Sequence, residues 1–292
     1  MRRAVPTRAS TRPAVRNRGV ATLVTTAWLM ATMLSFAPPS PVRAEPGIAF
    51  RSSATGTNTT TPSMDILRPA GVVSGDVLIA AITVRGAPII TAPDGWTLIR
   101  TDTWRSSLRQ AAYVRVPGDG EPTTYTWTFS GAQTATGAIS AYTGVDPGNP
   151  IDAHGGLASA ASTEIVAPSI TTTTPNTLLV GIFGITSRRT ITPPGGMTER
   201  FEVASPNGVD SKMTTASADT VRASAGATES RTAVASGASA NIGQLIALRA
   251  ADAGPPPDGA DPTANPGSLV TAQDTPVNVV LSGSDTPISD GV

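Results

Sequence analysis

The fold of this chain is indicated by two apolar runs, DVLIAAITV (residues 76–84) and NTLLVGIFGIT (residues 176–186). Each run is short, rich in strand-forming residues and bounded by Gly, Pro, Asp or Asn, which is typical of a β-strand. Neither run alternates between apolar and polar residues, so both of its faces must be covered by protein. The two runs therefore predict strands in the middle of a two-layer sandwich.

The two runs also belong to a longer internal similarity. At an offset of 101 residues the first run aligns with the second, and PDGWT (93–97) aligns with PGGMT (194–198). At an offset of 106, SGAQTATGAISAY (130–142) aligns with SGASANIGQLIAL (236–248), while the stretch between these blocks aligns poorly. The similarity predicts two related halves, at about 70–145 and 172–250.

Shorter patterns elsewhere agree with an all-β chain. In QAAYVRV (110–116) apolar and polar residues alternate, as in a half-buried antiparallel strand, and TYTWTF (124–129) places three aromatic rings on one face. The halves could form two small sandwiches in series, or one larger sandwich to which each half supplies equivalent strands. Because no flexible linker separates the halves, we expect a single jelly-roll-like β-sandwich domain over residues 45–250.

The N-terminus predicts export from the cell. Six arginines in the first 18 residues precede an apolar run from Val20 to Ala37, and Val42 and Ala44 are the small residues expected before a cleavage point. We expect a signal peptide over residues 1–44, a secreted product with cell-surface association left open, and no membrane span after cleavage. A retained anchor is the alternative, since the apolar run is near the lower limit for crossing a bilayer.

Removal of that leader would change the charge of the chain. All 21 acidic residues follow Ala44, whereas seven of the 21 basic residues precede it, which leaves 14 basic residues and a net charge of −7. An acidic exterior does not attract phosphate backbones, so we expect no nucleic-acid partner. The chain has no cysteine, so an exported product would depend on its core rather than on disulfides.

The sequence offers little for catalysis or for a cofactor. It has one histidine, His154, no Gly-x-Ser-x-Gly elbow and no phosphate-binding Gly-rich loop followed by Lys. One histidine without cysteine also excludes the usual zinc sites, and we interpret His154 as a solvated loop residue. We expect no cofactor and no enzymatic activity, although a pair of carboxylates of the glycosidase kind stays open.

Aromatic rings are the candidates for ligand binding, because β-sandwich modules often stack sugars on exposed rings. Trp104, Tyr113 and Tyr125 are the predicted ligand-binding residues, and Trp104 is the leading one because it lies in the polar stretch RTDTWRSS (100–107). Trp96 aligns with Met197, another bulky apolar residue, which predicts packing in the core after a tight turn.

The composition changes after Ala250. ADAGPPPDGADPTANPG predicts a Pro-rich linker over residues 251–267, and a new alternating β-pattern begins at Ser268. With its DTPV, its alternating strand and its GSD, the segment PTANPGSLVTAQDTPVNVVLSGSD (262–285) resembles the start of the cadherin-like or Ig-like tandem modules of large bacterial surface and adhesion proteins. The resemblance implies an incomplete module of this kind over residues 268–292.

The tail departs from that family at the positions suited to calcium. Ala272 and Gln273 stand where the family often has acidic residues, so Asp285 and Asp290 are weak calcium candidates and we expect no metal site. The chain as a whole predicts a secreted, non-catalytic, modular surface protein that acts in adhesion or matrix interaction. A polysaccharide-binding module is the first alternative and a carbohydrate-active enzyme the second, so the expected partner is a polysaccharide or a surface protein.

Overall fold

The computed structural model describes residues 47–208 and 211–251. In that part of the chain every regular element is a β-strand and paired strands run antiparallel, which confirms the prediction of an all-β sandwich. The same residues include no helix long and apolar enough to cross a membrane. The predicted leader, almost all of the predicted linker, and the predicted module with Asp285 and Asp290 lie outside the described residues.

The strands of the described residues fall into two groups of eight. The first group is β1 (Ala49–Thr57), β2 (Thr61–Leu67), β3 (Val77–Arg85), β4 (Ile90–Thr91), β5 (Thr97–Trp104), β6 (Leu108–Arg115), β7 (Thr124–Gln133) and β8 (Ala135–Thr143). The second group is β9 (Ile151–Ala167), β10 (Thr171–Thr172), β11 (Thr177–Ile185), β12 (Ile191–Thr192), β13 (Thr198–Ala204), β14 (Thr214–Arg222), β15 (Gly226–Ala227) and β16 (Arg231–Leu248).

The two groups repeat one topology. In repeat 1 (residues 49–143) the larger sheet has the order β1-β8-β3-β6-β5 and the smaller sheet has the order β2-β7-β4. In repeat 2 (residues 151–248) the larger sheet has the equivalent order β9-β16-β11-β14-β13. In repeat 2 the C-terminal part of β9 pairs with the N-terminal part of β16 beside β12, as β2 pairs with β7 beside β4 in repeat 1. The predicted duplication is therefore a duplication of strand order.

Local irregularities are repeated as well. Trp96 donates a backbone hydrogen bond to the carbonyl of Pro93, and Met197 donates one to Pro194, across glycine turns with positive φ. A β-bulge interrupts β5 at Ile99 and β13 at Arg200, again 101 residues apart. Because the positions of bulges are set residue by residue, they allow equivalent residues of the two repeats to be matched through their pairing registers.

Both repeats begin earlier than the sequence similarity indicated, at 49 and 151 rather than at about 70 and 172. β1, β2 and β9 show no clear similarity in sequence. Their equivalence follows from pairing instead, since β1 pairs with β8 and β9 pairs with β16, which are themselves equivalent strands.

The larger sheets of the two repeats pack face to face, and this arrangement explains the two apolar runs. On β3, Val77 and Ile79 belong to the core between the repeats, whereas Leu78 and Ala80 belong to the core inside repeat 1. β11 alternates in the same way between the shared core and the core inside repeat 2. The runs are apolar on both faces because one face lies in the shared core and the other in the core inside its own repeat.

The architecture combines the two interpretations that the sequence left open. Each repeat has its own pair of sheets and its own core, yet the shared core joins both repeats into one unit. Eight strands in two sheets is the number found in a jelly roll. Since β5 adds to the larger sheet rather than to the smaller one, the jelly-roll assignment stays a prediction.

Candidate functional site

The repeats cross each other in a nearly two-fold manner, and the candidate site lies at one of the two crossings. β5 of repeat 1 lies against β9, where an Arg100 guanidinium nitrogen is 3.1 Å from Nδ1 of His154. β13 of repeat 2 lies against β1, where the Ser53 hydroxyl donates a 3.2 Å hydrogen bond to the carbonyl of Arg200. Because β5 is equivalent to β13 and β9 to β1, the two crossings are built from the same strands.

An ion pair occupies the β13–β1 crossing. Arg200, the bulged residue of β13, donates two hydrogen bonds of 2.7 Å through Nε and Nη2 to the two carboxylate oxygens of Asp219 on β14. The Asp219 side chain is only 2% exposed and that of Arg200 is 25% exposed. The hydrogen bonds to Asp219 raise the pKa of Arg200. The guanidinium carbon also lies 4.6 Å from the centroid of the Phe50 ring, a cation–π contact.

Tyr142 on β8 lies behind this pair. Its ring is fully buried and makes an edge contact with Phe50, with the centroids 5.8 Å apart. Its hydroxyl has no hydrogen-bond partner among the described residues. Burial, reinforced by the nearby negative charge of Asp219, raises the pKa of Tyr142 well above its ordinary value. The group is therefore a neutral phenol at physiological pH.

A groove of about 420 Å³ opens over the ion pair. It is lined by Ile48, Ala49, Phe50, Leu178, Thr198, Arg200, Asp219, Thr220 and Val221. Arg200 uses two of its five N–H groups on Asp219, so three remain for other acceptors. Thr198 pairs with Asp219 and so lies on the same face of the sheet, and its hydroxyl forms no hydrogen bond within the described residues. The side chain of Thr220 lies on the opposite face of β14, because Thr220 pairs with Leu179 of the core inside repeat 2. The groove thus combines an apolar wall with unused donors and acceptors.

Repeat 1 provides an internal control for this site. At the other crossing, the positions of Arg200 and Asp219 hold Ile99 and Val114. All of the counterparts are apolar, including those of Phe50 and Tyr142, which are Ile151 and Leu248. Ile99, Val114 and Ile151 pack against the shared core as ordinary hydrophobic residues. The β5–β9 crossing has a different ion pair, in which Arg100, the residue after Ile99, binds Asp102. The fold therefore accepts apolar residues at the four positions that hold Phe50, Tyr142, Arg200 and Asp219 in the other crossing.

The predicted tyrosines are not surface residues. Tyr113 is 5% exposed and Tyr125 is 1% exposed, and both rings pack in the core inside repeat 1. The prediction that they offer free faces for sugar stacking is wrong, because β6 and β7 turn these residues toward the space between the two sheets. The prediction of core packing for Trp96 and Met197 is confirmed, with exposures of 9% and 8%.

Trp104 is half-buried at the end of β5. Its ring packs against a small cluster of Leu108, Met213 and Ile242, which joins the two repeats. The guanidinium carbon of Arg105 lies 5.1 Å from the ring centroid. Trp104 therefore contributes to the contact between the repeats, and its role in ligand binding stays a prediction.

His154 lies on β9 rather than in a loop, although its side chain is exposed. Burial of part of the ring and the positive charge of Arg100 lower the pKa of His154. Asp152, two residues away, binds Thr173 and Arg249 instead of the imidazole. The pair therefore lacks the contact that a catalytic His–Asp couple needs. Within the described residues no group of His, Asp or Glu side chains is arranged to hold a metal ion.

Four residues of the site were not predicted from the sequence, namely Phe50, Tyr142, Arg200 and Asp219. The signal that could have identified them is the exchange of charged for apolar residues between equivalent positions. That signal was hidden because Val114 and Asp219 are 105 residues apart and lie in the block that aligned at neither offset. The registers of β6 and β14 were needed to match them.

Comparisons of the chain with protein-family models, with curated proteins and with solved structures found no match.

Proposed function

We propose that this chain is a non-catalytic binding protein that acts outside the cell, in adhesion to a surface or in contact with an extracellular matrix. In this proposal the groove over Arg200 and Asp219 is the contact site. The observation that carries it is an ion pair beneath an open groove, at positions whose equivalents in repeat 1 are filled by apolar packing.

The sequence supports the extracellular part of the proposal. The N-terminal residues have the order of a secretory signal, and residues 262–285 resemble the modules of bacterial adhesion proteins. The charge balance of the chain after Ala44 is acidic, which disfavours nucleic acid as the partner.

Binding suits the groove better than hydrolysis does. A glycosidase needs two carboxylates that face each other across the substrate. Asp219 is the one acid among the residues that line the groove, and both of its oxygens are bound by Arg200. A carboxylate held in this way is a poor proton donor or nucleophile, whereas a rigid, hydrogen-bonded pair is well suited to positioning a ligand.

A sedimentation assay tests the proposal. The purified chain is incubated with insoluble extracellular polymers, namely cellulose, chitin, peptidoglycan and collagen, and the protein that sediments is measured. We expect saturable binding to at least one polymer, and loss of that binding in the double variant Arg200→Ile/Asp219→Val, which copies the residues of repeat 1. Release of reducing ends from a polysaccharide would contradict the non-catalytic role. Equal binding by the double variant would contradict the groove as the contact site.

A further inference from the structure

We infer that the groove over Arg200 and Asp219 recognises a neutral, polyhydroxylated ligand, such as one hexose unit of a glycan. The inference rests on the proposed function, because it assigns a ligand class to the same groove.

The charges in the groove favour a neutral ligand. Arg200 and Asp219 carry opposite charges and are joined by two short hydrogen bonds, so the pair as a whole has no net charge. An anionic ligand at the free N–H groups of Arg200 would lie beside the Asp219 carboxylate, and a cationic ligand at Asp219 would lie beside the guanidinium. A charged ligand would lose hydration without gaining an unpaired counter-charge, whereas a hydroxyl group loses much less.

The free hydrogen-bonding groups favour a ligand that both donates and accepts. Arg200 offers three unused N–H donors and is 25% exposed, whereas the Asp219 carboxylate is buried beneath it. The hydroxyl of Thr198, on the same face of the sheet as Asp219, can act in either sense. Neighbouring hydroxyls of a sugar match such a mixed set, because each of them can donate one hydrogen bond and accept others.

The apolar part of the lining suits the C–H face of a sugar ring. Val221, which is 64% exposed, lines the groove beside the buried Leu178. Arg200 is held by Asp219 on one edge and by the Phe50 ring on one face, so its free N–H groups have a fixed direction. A preorganised donor loses little conformational entropy on binding, which favours affinity for a small ligand.

Nuclear magnetic resonance titration of the full chain tests this ligand class. The probes are the neutral methyl glycosides of glucose, galactose and mannose, with glucuronate as the anionic arm and glucosamine as the cationic arm. We expect at least one neutral glycoside to shift the Arg200 Nε–H signal and the amide signals of Thr198 and Thr220 in a saturable manner. Binding of the charged sugars is expected to be at least about tenfold weaker.

Two variants with the ion pair intact keep the test independent of folding. Thr198→Val removes only the groove hydroxyl, and we expect it to weaken binding of the neutral glycoside several-fold. Thr97→Val is the matched control, because Thr97 pairs with Val114 in repeat 1 as Thr198 pairs with Asp219 in repeat 2, and we expect it to bind like the wild type.

The possible results distinguish a failure of this ligand class from a failure of the proposed binding function. Saturable shifts with a neutral glycoside, weakened several-fold in the Thr198→Val variant, would support the inference. Binding of only the charged sugars would overturn it. Sedimentation with a polymer that depends on Arg200 and Asp219, without any response to the neutral glycosides, would overturn the ligand class and leave the binding function in place. Failure of both assays would overturn both.

Discussion

Arg200 and Asp219 are joined by two hydrogen bonds of 2.7 Å at a position where repeat 1 places Ile99 against Val114. The same backbone geometry therefore accommodates either an ion pair or two aliphatic side chains. A buried ion pair is weak evidence for stability, since desolvation of the charges offsets most of their attraction. Because repeat 1 has apolar residues at the same positions, the contribution of the ion pair to stability can be measured by copying them into repeat 2.

The first prediction concerns this pair. Arg200→Ile alone leaves the Asp219 carboxylate buried without a partner, and we expect it to lower the free energy of unfolding by about 3 kcal/mol. Arg200→Ile/Asp219→Val restores an apolar pair of the repeat 1 type, and we expect its stability to lie within about 1 kcal/mol of the wild type or above it. Urea denaturation followed by tryptophan fluorescence measures both values.

Asp219→Val serves as the control for the first prediction. It leaves a partly exposed arginine that can reach water, so its effect should be smaller than that of Arg200→Ile. If the double variant were as unstable as Arg200→Ile, the ion pair would be needed for folding. Its presence would then be explained without a role in binding.

The second prediction concerns the pH dependence of the β5–β9 crossing. The pKa of His154 is lowered from its ordinary value of 6.5 by burial and by the charge of Arg100. The unfolded chain therefore takes up a proton near pH 6.5 that the folded chain still excludes, so the stability falls as the pH drops below that value. His154→Ser, which copies Ser53 of repeat 1, should abolish this part of the pH dependence.

The measurement for His154 is a pair of urea titrations at about pH 7.5 and pH 5.5, for the wild type and the variant. Asp102 does not interfere in this range. Burial alone would raise the pKa of Asp102, but hydrogen bonds from Arg100 and Gln244 lower it below its ordinary value of 3.8. An equal loss of stability on acidification in both proteins would show that another group is responsible.

The third prediction concerns Gly184 on β11, at the contact between the repeats. Its counterpart in repeat 1 is Thr83, and the two equivalent positions face each other, with Gln110 beside them. A Cβ atom on Gly184 would collide with Oε1 of Gln110 and lie 2.8 Å from Cγ2 of Thr83. Only one of the two positions can therefore carry a side chain. We expect Gly184→Ala to lower the free energy of unfolding by about 1–3 kcal/mol.

Gly195→Ala is the matched control for Gly184→Ala, because a Cβ atom at Gly195 meets nothing within 4 Å. Thermal unfolding of the two variants distinguishes crowding at the contact from a general effect of replacing glycine. A loss of the same size in both variants would contradict the steric explanation.

The sequence predicted the parts of this structure that depend on local patterns. The period of two in QAAYVRV, the glycine turn before Trp96 and the apolar run after Asp76 each indicated the right strand or turn. The packing of the two larger sheets against each other was not predicted. An apolar run shows that both faces of a strand are covered, but it does not show which part of the chain covers them. The burial of Tyr113 and Tyr125 was missed for a related reason, since alternation shows two faces without showing which one faces the core.

The candidate site was beyond prediction from sequence because its residues come from separate strands. Phe50, Tyr142, Arg200 and Asp219 lie on β1, β8, β13 and β14, and they meet only where the two repeats cross. Arginine on an edge strand and aspartate in a Thr-rich strand are common surface residues, so neither is notable alone. Their meaning depends on the apolar residues at the equivalent positions of repeat 1.

The last prediction concerns repeat 1 by itself. In the whole chain the face of its larger sheet that includes Val77, Ile79 and Tyr142 is covered by repeat 2. A fragment of residues 47–145 would expose this face as a contiguous apolar patch, which soluble monomers rarely tolerate. Because the repeats already pack in a nearly two-fold manner, a second copy of the fragment can cover the face with the same geometry. We expect the fragment to form dimers, with light scattering after size-exclusion chromatography as the measurement. Ile79→Lys should shift it toward the monomer, whereas a stable wild-type monomer would show that the shared core is dispensable to each repeat.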